Sequence, residues 1–193
     1  MSTRRRAPEV RRDEILRSAE ALLKRDGGKV RVEDVVRVAG IAKGTFYLYF
    51  PTWDDLLASL RANAAAAFVR KHPMPAPHES VDWMALLNAQ VGAFIDATLA
   101  MGKLHEELYH SDFAARYPPP AEEDAVQRFI EIISEGQRAG AFAGFDTVPV
   151  AKLLFAAIHR SVDEIAAGGD RAVAVAALER VLEAVLRPRG GTR

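Results

Sequence analysis

The 193-residue sequence contains no cysteine, which excludes disulfides and thiolate metal sites and fits a reducing compartment. No stretch approaches the ~20 apolar residues of a membrane span. The first residues, MSTRRRAPEVRRDE, place no apolar segment behind their basic cluster, so no secretory signal is expected. A soluble, cytoplasmic protein without a membrane partner is the expectation. Strand-like alternation, internal repeats and low-complexity tracts are also missing. Catalytic signatures are no better represented. There is no Ser-His-Asp spacing, Gly-rich phosphate loop, HExxH or paired-carboxylate motif, and the adjacent Glu106-Glu107 and Glu122-Glu123 diverge on a helix. Neither catalysis nor a cofactor is expected.

What is present reads as helix throughout. Apolar residues make up 49% of the chain and charged residues 27%, and alanine is abundant. Ile15, Ala19, Leu22 and Leu23 stripe a helix over 13–25 that Gly27-Gly28 stops. Val32–Ala39 and Lys43–Tyr49 form two short helices around Gly40, and Pro51 closes the second. Thr52 caps a fourth helix reaching about Lys71, with Asp55 placed for a capping box. After a proline-rich loop at 72–80, Met84, Leu87, Val91, Phe94 and Thr98 mark a long helix. A shorter one covers 102–117. Val126, Phe129, Ile130 and Ile133 stripe the next, and the last two run over about 149–167 and 170–186. The fold class is all-α, with about nine helices.

Charge and aromatic residues are both unevenly placed. Residues 1–50 hold twelve Lys/Arg against seven Asp/Glu, which leaves fourteen against nineteen for residues 51–193. A basic N-terminal quarter on an acidic remainder points to a polyanion-binding module. Aromatics are only 8% of the chain, yet Phe46, Tyr47, Tyr49 and Phe50 fall within five residues. The segment VEDVVRVAGIAKGTFYLYF fits a helix-turn-helix. Gly40 permits the left-handed corner, and Val35, Ala39, Ile41, Phe46 and Phe50 form a small shared core. With Phe46 and Phe50 turned inward (i, i+4), Lys43, Tyr47 and Leu48 emerge opposite. A seven-residue helix is ~10 Å long and fits a ~12 Å major groove.

The string AGIAKGTFYLYF followed by PTWDDLL closely resembles the N-terminal signature of TetR-family transcriptional regulators, commonly AGVSKGTLYHYF followed by a capped acidic-leucine helix. The resemblance covers about residues 11–60. It implies a homodimeric, all-helical repressor that leaves a palindromic double-stranded operator when a small-molecule effector binds its C-terminal domain. The implied division is a DNA-binding domain at 1–52 with a basic arm, and a ligand-binding and dimerisation domain at 53–193. By position, the implied DNA contacts are Arg31, Lys43, Thr45, Tyr47, Leu48 and Tyr49. Arg31 replaces a usual capping Thr, Val36 a usual Ala and Ala42 a usual Ser. Trp53 stands at a common phosphate-binding Lys, where its N–H can still donate. Arg4, Arg5 and Arg6 are candidates for an arm reaching phosphates or a minor groove.

In the remainder, Trp83, Met84, Phe94, Met101, Phe113, Phe129 and Phe155 are large, with small residues between them. His105, Tyr109, His110 and His159 are the polar groups that can orient a ligand in such a setting. The candidate ligand residues are Trp83, Phe94, Met101, His105, Tyr109, Phe113, Phe129 and His159. Glu106 with His110, or His159 with Asp163, has metal-ligand spacing, but two ligands in each set fall short of a site and none is expected. The helix at 149–167 carries Leu153, Leu154, Phe155, Ile158, Val162 and Ile165 on more than one face. With the Ala- and Val-rich helix at 170–186 it fits a homodimer element. The alternative reading is a helical adaptor whose basic end binds polyanions or proteins non-specifically.

Overall fold

The computed structural model describes residues 8–76, 80–117 and 124–188. Their order is α1 (Pro8–Asp26), a 3-10 turn (Gly27–Lys29), α2 (Val32–Ala39), α3 (Lys43–Tyr49), α4 (Trp53–Lys71), α5 (Trp83–Leu99), α6 (Lys103–Tyr109), α7 (Asp112–Arg116), α8 (Asp124–Arg138), α9 (Thr147–Ala166) and α10 (Arg171–Leu186). No strand occurs among the described residues. Two boundaries differ from expectation. First, α1 begins at Pro8 rather than at 13, because proline is pre-organised for a first helical turn, so Arg11 and Arg12 belong to the helix. Second, the helix expected over 102–117 divides at Ser111, whose Oγ accepts from the Phe113 N–H at 3.2 Å and starts α7. The residues Arg4, Arg5 and Arg6 lie outside the described part of the chain.

The chain forms two compact units, one from residues 1–64 and 101–120 and the other from 65–100 and 121–193. In the first, Ile15, Ala19 and Leu23 of α1 are fully buried with Val35, Phe46, Leu56 and Leu108. The amphipathic spacing of α1 requires such a buried face, and α2, α4 and α6 supply it. Gly102 makes the α1–α6 approach possible. Its φ is +55°, and a Cβ there would lie 2.9 Å from the Lys24 carbonyl oxygen. The next close approach is at the 3-10 turn, where a Cβ on Gly28 would meet the Glu107 carboxylate at 2.6 Å. Burial, and to a lesser degree the neighbouring Glu106, raises the Glu107 pKa, while the Gly28 N–H and Arg31 pull it down.

The second unit packs α5, α8, α9 and α10 around Leu87, Ile95, Ile132, Ile133, Ile158, Val162 and Leu182. Two of its helices, α5 and α10, are capped by an aspartate at their N-termini. The Asp82 carboxylate accepts from Ala85 N–H, and that of Asp170 accepts from Ala172 and Val173 N–H. After α8 the chain reverses over Gly136, whose carbonyl accepts from the Ala141 and Phe142 amides. The Phe142 ring rests on Gly136 so closely that a Cβ would come within 2.2 Å of it. The Gln137 side-chain amide donates to the Ala143 and Phe145 carbonyls, and its oxygen accepts from Thr147 Oγ1. These contacts fix the start of α9.

Candidate nucleic-acid interface

The α2–α3 pair is built as a rigid corner. Gly40 adopts φ 64°, ψ 39°, and the Ile41 amide returns to the Val36 carbonyl at 3.0 Å, ending α2 in one residue. At the other end of α2, the Asp34 carboxylate accepts from the Arg31 N–H at 3.0 Å. Arg31 has no side-chain acceptor to return the bond, so half of a capping box remains. Its guanidinium instead donates to the Gly28 and Val30 carbonyls at 2.5 and 3.0 Å. Helix α3 follows Ala42, which caps nothing with its side chain.

Phe46 and Phe50 anchor α3, as their i, i+4 spacing requires. They are 0% and 1% exposed, with ring centroids 5.8 Å apart. Burying such side chains contributes about 1.5–3 kcal/mol each. The Arg12 guanidinium lies over the Phe50 ring at 5.0 Å and donates to Ser59 Oγ at 2.8 Å, joining α1, α3 and α4. Pro51 then separates α3 from α4, and Thr52 and Asp55 form the expected reciprocal box. Asp55 accepts from the Thr52 amide at 2.9 Å, while Thr52 Oγ1 accepts from the Asp55 amide at 3.1 Å.

The opposite face of α3 is open to solvent. Leu48 is 83% exposed and Tyr47 43%, and Lys43 and Gly44 are exposed beside them. Thr45 and Tyr49 are half-buried, Tyr49 packing against the first core. Trp53 is likewise half-buried against that core, so its ring is partly committed to packing. Of the positions singled out in the sequence, Lys43, Tyr47 and Leu48 share the exposed surface, while Thr45, Tyr49 and Trp53 lie at its margin. The Lys43 ammonium donates to Glu33 Oε1 at 2.5 Å. That bond raises the Lys43 pKa and lowers that of Glu33, keeping both charged. Nothing local in the sequence marks Glu33 as the partner, since ten residues and a turn separate the two.

The ligand candidates divide between the units. In the second, Phe94 packs edge-on against Phe129 and Phe155 at 6.3 and 4.9 Å, and tilted against His159 at 6.3 Å. Phe68 of α4 joins this cluster at 5.7 Å from Phe94; its sequence position gave no sign of that role. Trp83 packs against the same core. Of the candidates in the first unit, Phe113 is buried beneath the Arg61 guanidinium at 4.9 Å, and Met101 and Tyr109 pack on that core. His105 is buried, with its Nε2 3.3 Å from His110 Nε2. Among the described residues no single helix is long and apolar enough to cross a membrane.

Residues 15–60 match the family model described as bacterial regulatory proteins, tetR family. No curated protein matches the chain. Among solved structures, the fatty acid degradation regulator FadR from Bacillus halodurans aligns with a TM-score of 0.72 at 22% identity, over 93% of this chain and 96% of its own. RolR in complex with resorcinol aligns at 0.70 and 18% identity, over 94% and 89%. A candidate TetR-family transcription regulator from Shewanella sp. PV-4 aligns at 0.68 and 17% identity, over 93% and 99%. With its left-handed Gly40 corner and its Phe46–Phe50 anchor, the helix-turn-helix lies within the segment, residues 15–60, that matches the model of the TetR family of bacterial regulatory proteins, and the described chain has a TetR-like all-helical fold.

Proposed function

We propose that the protein is a ligand-responsive transcriptional repressor, which binds a palindromic operator as a homodimer and leaves it when a small molecule binds its C-terminal domain. The observation that carries this reading is the division of α3. Phe46 and Phe50 fix the helix from beneath, while Lys43, Tyr47 and Leu48 are exposed on the other side. Lys43 offers donors to guanine or phosphate, Tyr47 a hydroxyl and a ring, and Leu48 an apolar contact for a thymine methyl. Thr45, Tyr49, Trp53 and Arg31 flank that set, and Arg4, Arg5 and Arg6 supply a basic arm.

The division of labour places DNA binding in residues 1–52 and effector binding with dimerisation in 53–193. The Phe94, Phe129, Phe155 and His159 cluster supports an effector with an apolar or aromatic body, and RolR is a fold neighbour that holds resorcinol. Dimerisation is supported by an apolar stripe on α10. Val173, Val181 and Val185 are exposed there, and Leu153 on α9 is 71% exposed. A groove of about 430 Å³ between α9 and α10 is lined by Ala157, Ile165, Val173, Ala177 and Val181. Two-fold pairing of this face matches the symmetry of a palindromic site. Such a regulator acts in the cytoplasm.

The test is selection of bound duplexes from a random pool, repeated with candidate effectors. Recovery of one palindromic site, released by a small molecule, is the expected result. Equal retention of every duplex would replace the reading with that of a non-specific polyanion binder.

A further inference from the structure

Glu33 projects from α2 and Lys43 opens α3, and their ion pair bridges the helix-turn-helix at 2.5 Å. Both side chains remain more than half exposed, so the pair adds little to stability. Its effect is on charge. In the free protein it neutralises the cation that begins the DNA-facing helix. The neighbouring cations are occupied as well, Arg37 by Asp34 and Arg31 by the Gly28 and Val30 carbonyls. The described Lys and Arg side chains from Arg31 to Lys43 therefore all have partners within the chain.

We propose that Glu33 is a specificity-determining residue: its carboxylate holds the Lys43 ammonium away from the phosphate backbone and leaves it available to a base-edge acceptor. The inference rests on the operator-binding reading above. An ammonium carries three donors. With one on Glu33, two remain for guanine O6 and N7 in the major groove, and the pair need not open. A phosphate contact is different. Drawing Lys43 onto a phosphate strips Glu33 of its cation and leaves carboxylate and phosphate, both anionic, close together. A duplex that offers only phosphates meets this repulsion, whereas one that offers the right base does not. Discrimination then comes from a built-in repulsive element as much as from an attractive contact.

Glu33→Gln tests this, because it keeps the shape and the acceptor oxygen while removing the charge. Binding is measured over a salt series with the selected operator duplex and with a scrambled duplex of equal length. The variant is expected to bind the scrambled duplex several-fold more tightly and to narrow the operator-to-scrambled ratio. Its logarithmic salt slope should steepen by about 0.9, the value of one additional phosphate contact. In a Lys43→Ala background the same substitution should change the slope much less, and Glu33→Asp should keep the native slope. An unchanged ratio and slope would overturn the proposal. So would an equal change in the Lys43→Ala background, since Glu33 would then be repelling DNA without Lys43. A variant with a lowered Tm and equal loss on both duplexes would reduce Glu33 to a structural residue, also against the proposal. If the native chain prefers no duplex at all, the operator-binding reading itself fails, whatever Glu33→Gln does.

Discussion

The α2–α3 pair and the α9–α10 pair both leave side chains uncovered, but with different chemistry. On α2–α3 the exposed set is mixed: Lys43 and Arg37 are tied to carboxylates, with Tyr47 and Leu48 beside them. On α9–α10 it is apolar: Val173, Val181 and Val185 along α10, and Leu153 on α9. A surface of charges and hydrogen-bonding groups is matched by a polar partner that offers acceptors at fixed places, whereas an apolar stripe gains only when another apolar surface excludes water from it. The two regions therefore suit different partners, which under the proposed function are nucleic acid for the first and a second copy of the chain for the second.

The largest expected effect comes from beneath the first surface. Phe46→Ala should cost about 3–5 kcal/mol, read as a lowered denaturant midpoint for the first unit, with DNA binding lost alongside. Substitution on the exposed side of the same helix should separate these outcomes. Tyr47→Ala should weaken operator binding at least tenfold, within the about 1–3 kcal/mol of a good base contact, and leave the unfolding midpoint where it was. If both variants lose stability equally, the two faces of α3 are not distinct.

On the second surface, Val173→Asp with Val181→Asp should turn the proposed dimer into a monomer in sedimentation equilibrium while helicity is unchanged. A native dimer in that variant would place the interface elsewhere. Gly136→Ala tests the core behind that surface. Its new methyl group collides with Phe142, so a loss of about 1–3 kcal/mol is expected. Operator contacts on α3 should be spared.

The smallest effect concerns Glu107, whose pKa burial and Glu106 raise in the folded chain. A carboxyl with a raised folded pKa binds more protons folded than unfolded. Its contribution to stability is present below the unfolded value and declines as pH rises through the folded one. Glu107→Gln should match the native protein at pH below about 4 and become slightly more stable than it towards pH 7. A native advantage that grows with pH would reverse the sign and show that the Gly28 N–H and Arg31 outweigh burial.

Much of the DNA-facing segment was legible because its determinants are local. Gly40 had to take a left-handed corner, and Thr52 with Asp55 had to form a box, since the spacing alone places the groups within reach. Phe46 and Phe50 turn inward because a 3.6-residue period puts both on one side. The extent of α1 was less legible, because the basic residues before it resemble an arm until Pro8 is seen to start a helix. The remaining site features depend on how separate elements pack. No periodicity brings Phe68 to Phe94, His105 Nε2 to His110 Nε2, or Glu33 to Lys43.

The sequence by itself determined the all-helical class, the helix-turn-helix and the sidedness of α3, since each follows from backbone preferences and from spacing within one or two turns. Only the tertiary structure decided that α6 packs against α1 across Gly102, that four aromatic rings and His159 gather in the second unit, and that the first cation of α3 is held by a carboxylate of α2. The physical reason is that a side chain's partner in another helix is fixed by the crossing geometry of the two helices, which the sum of their buried contacts selects rather than any one residue.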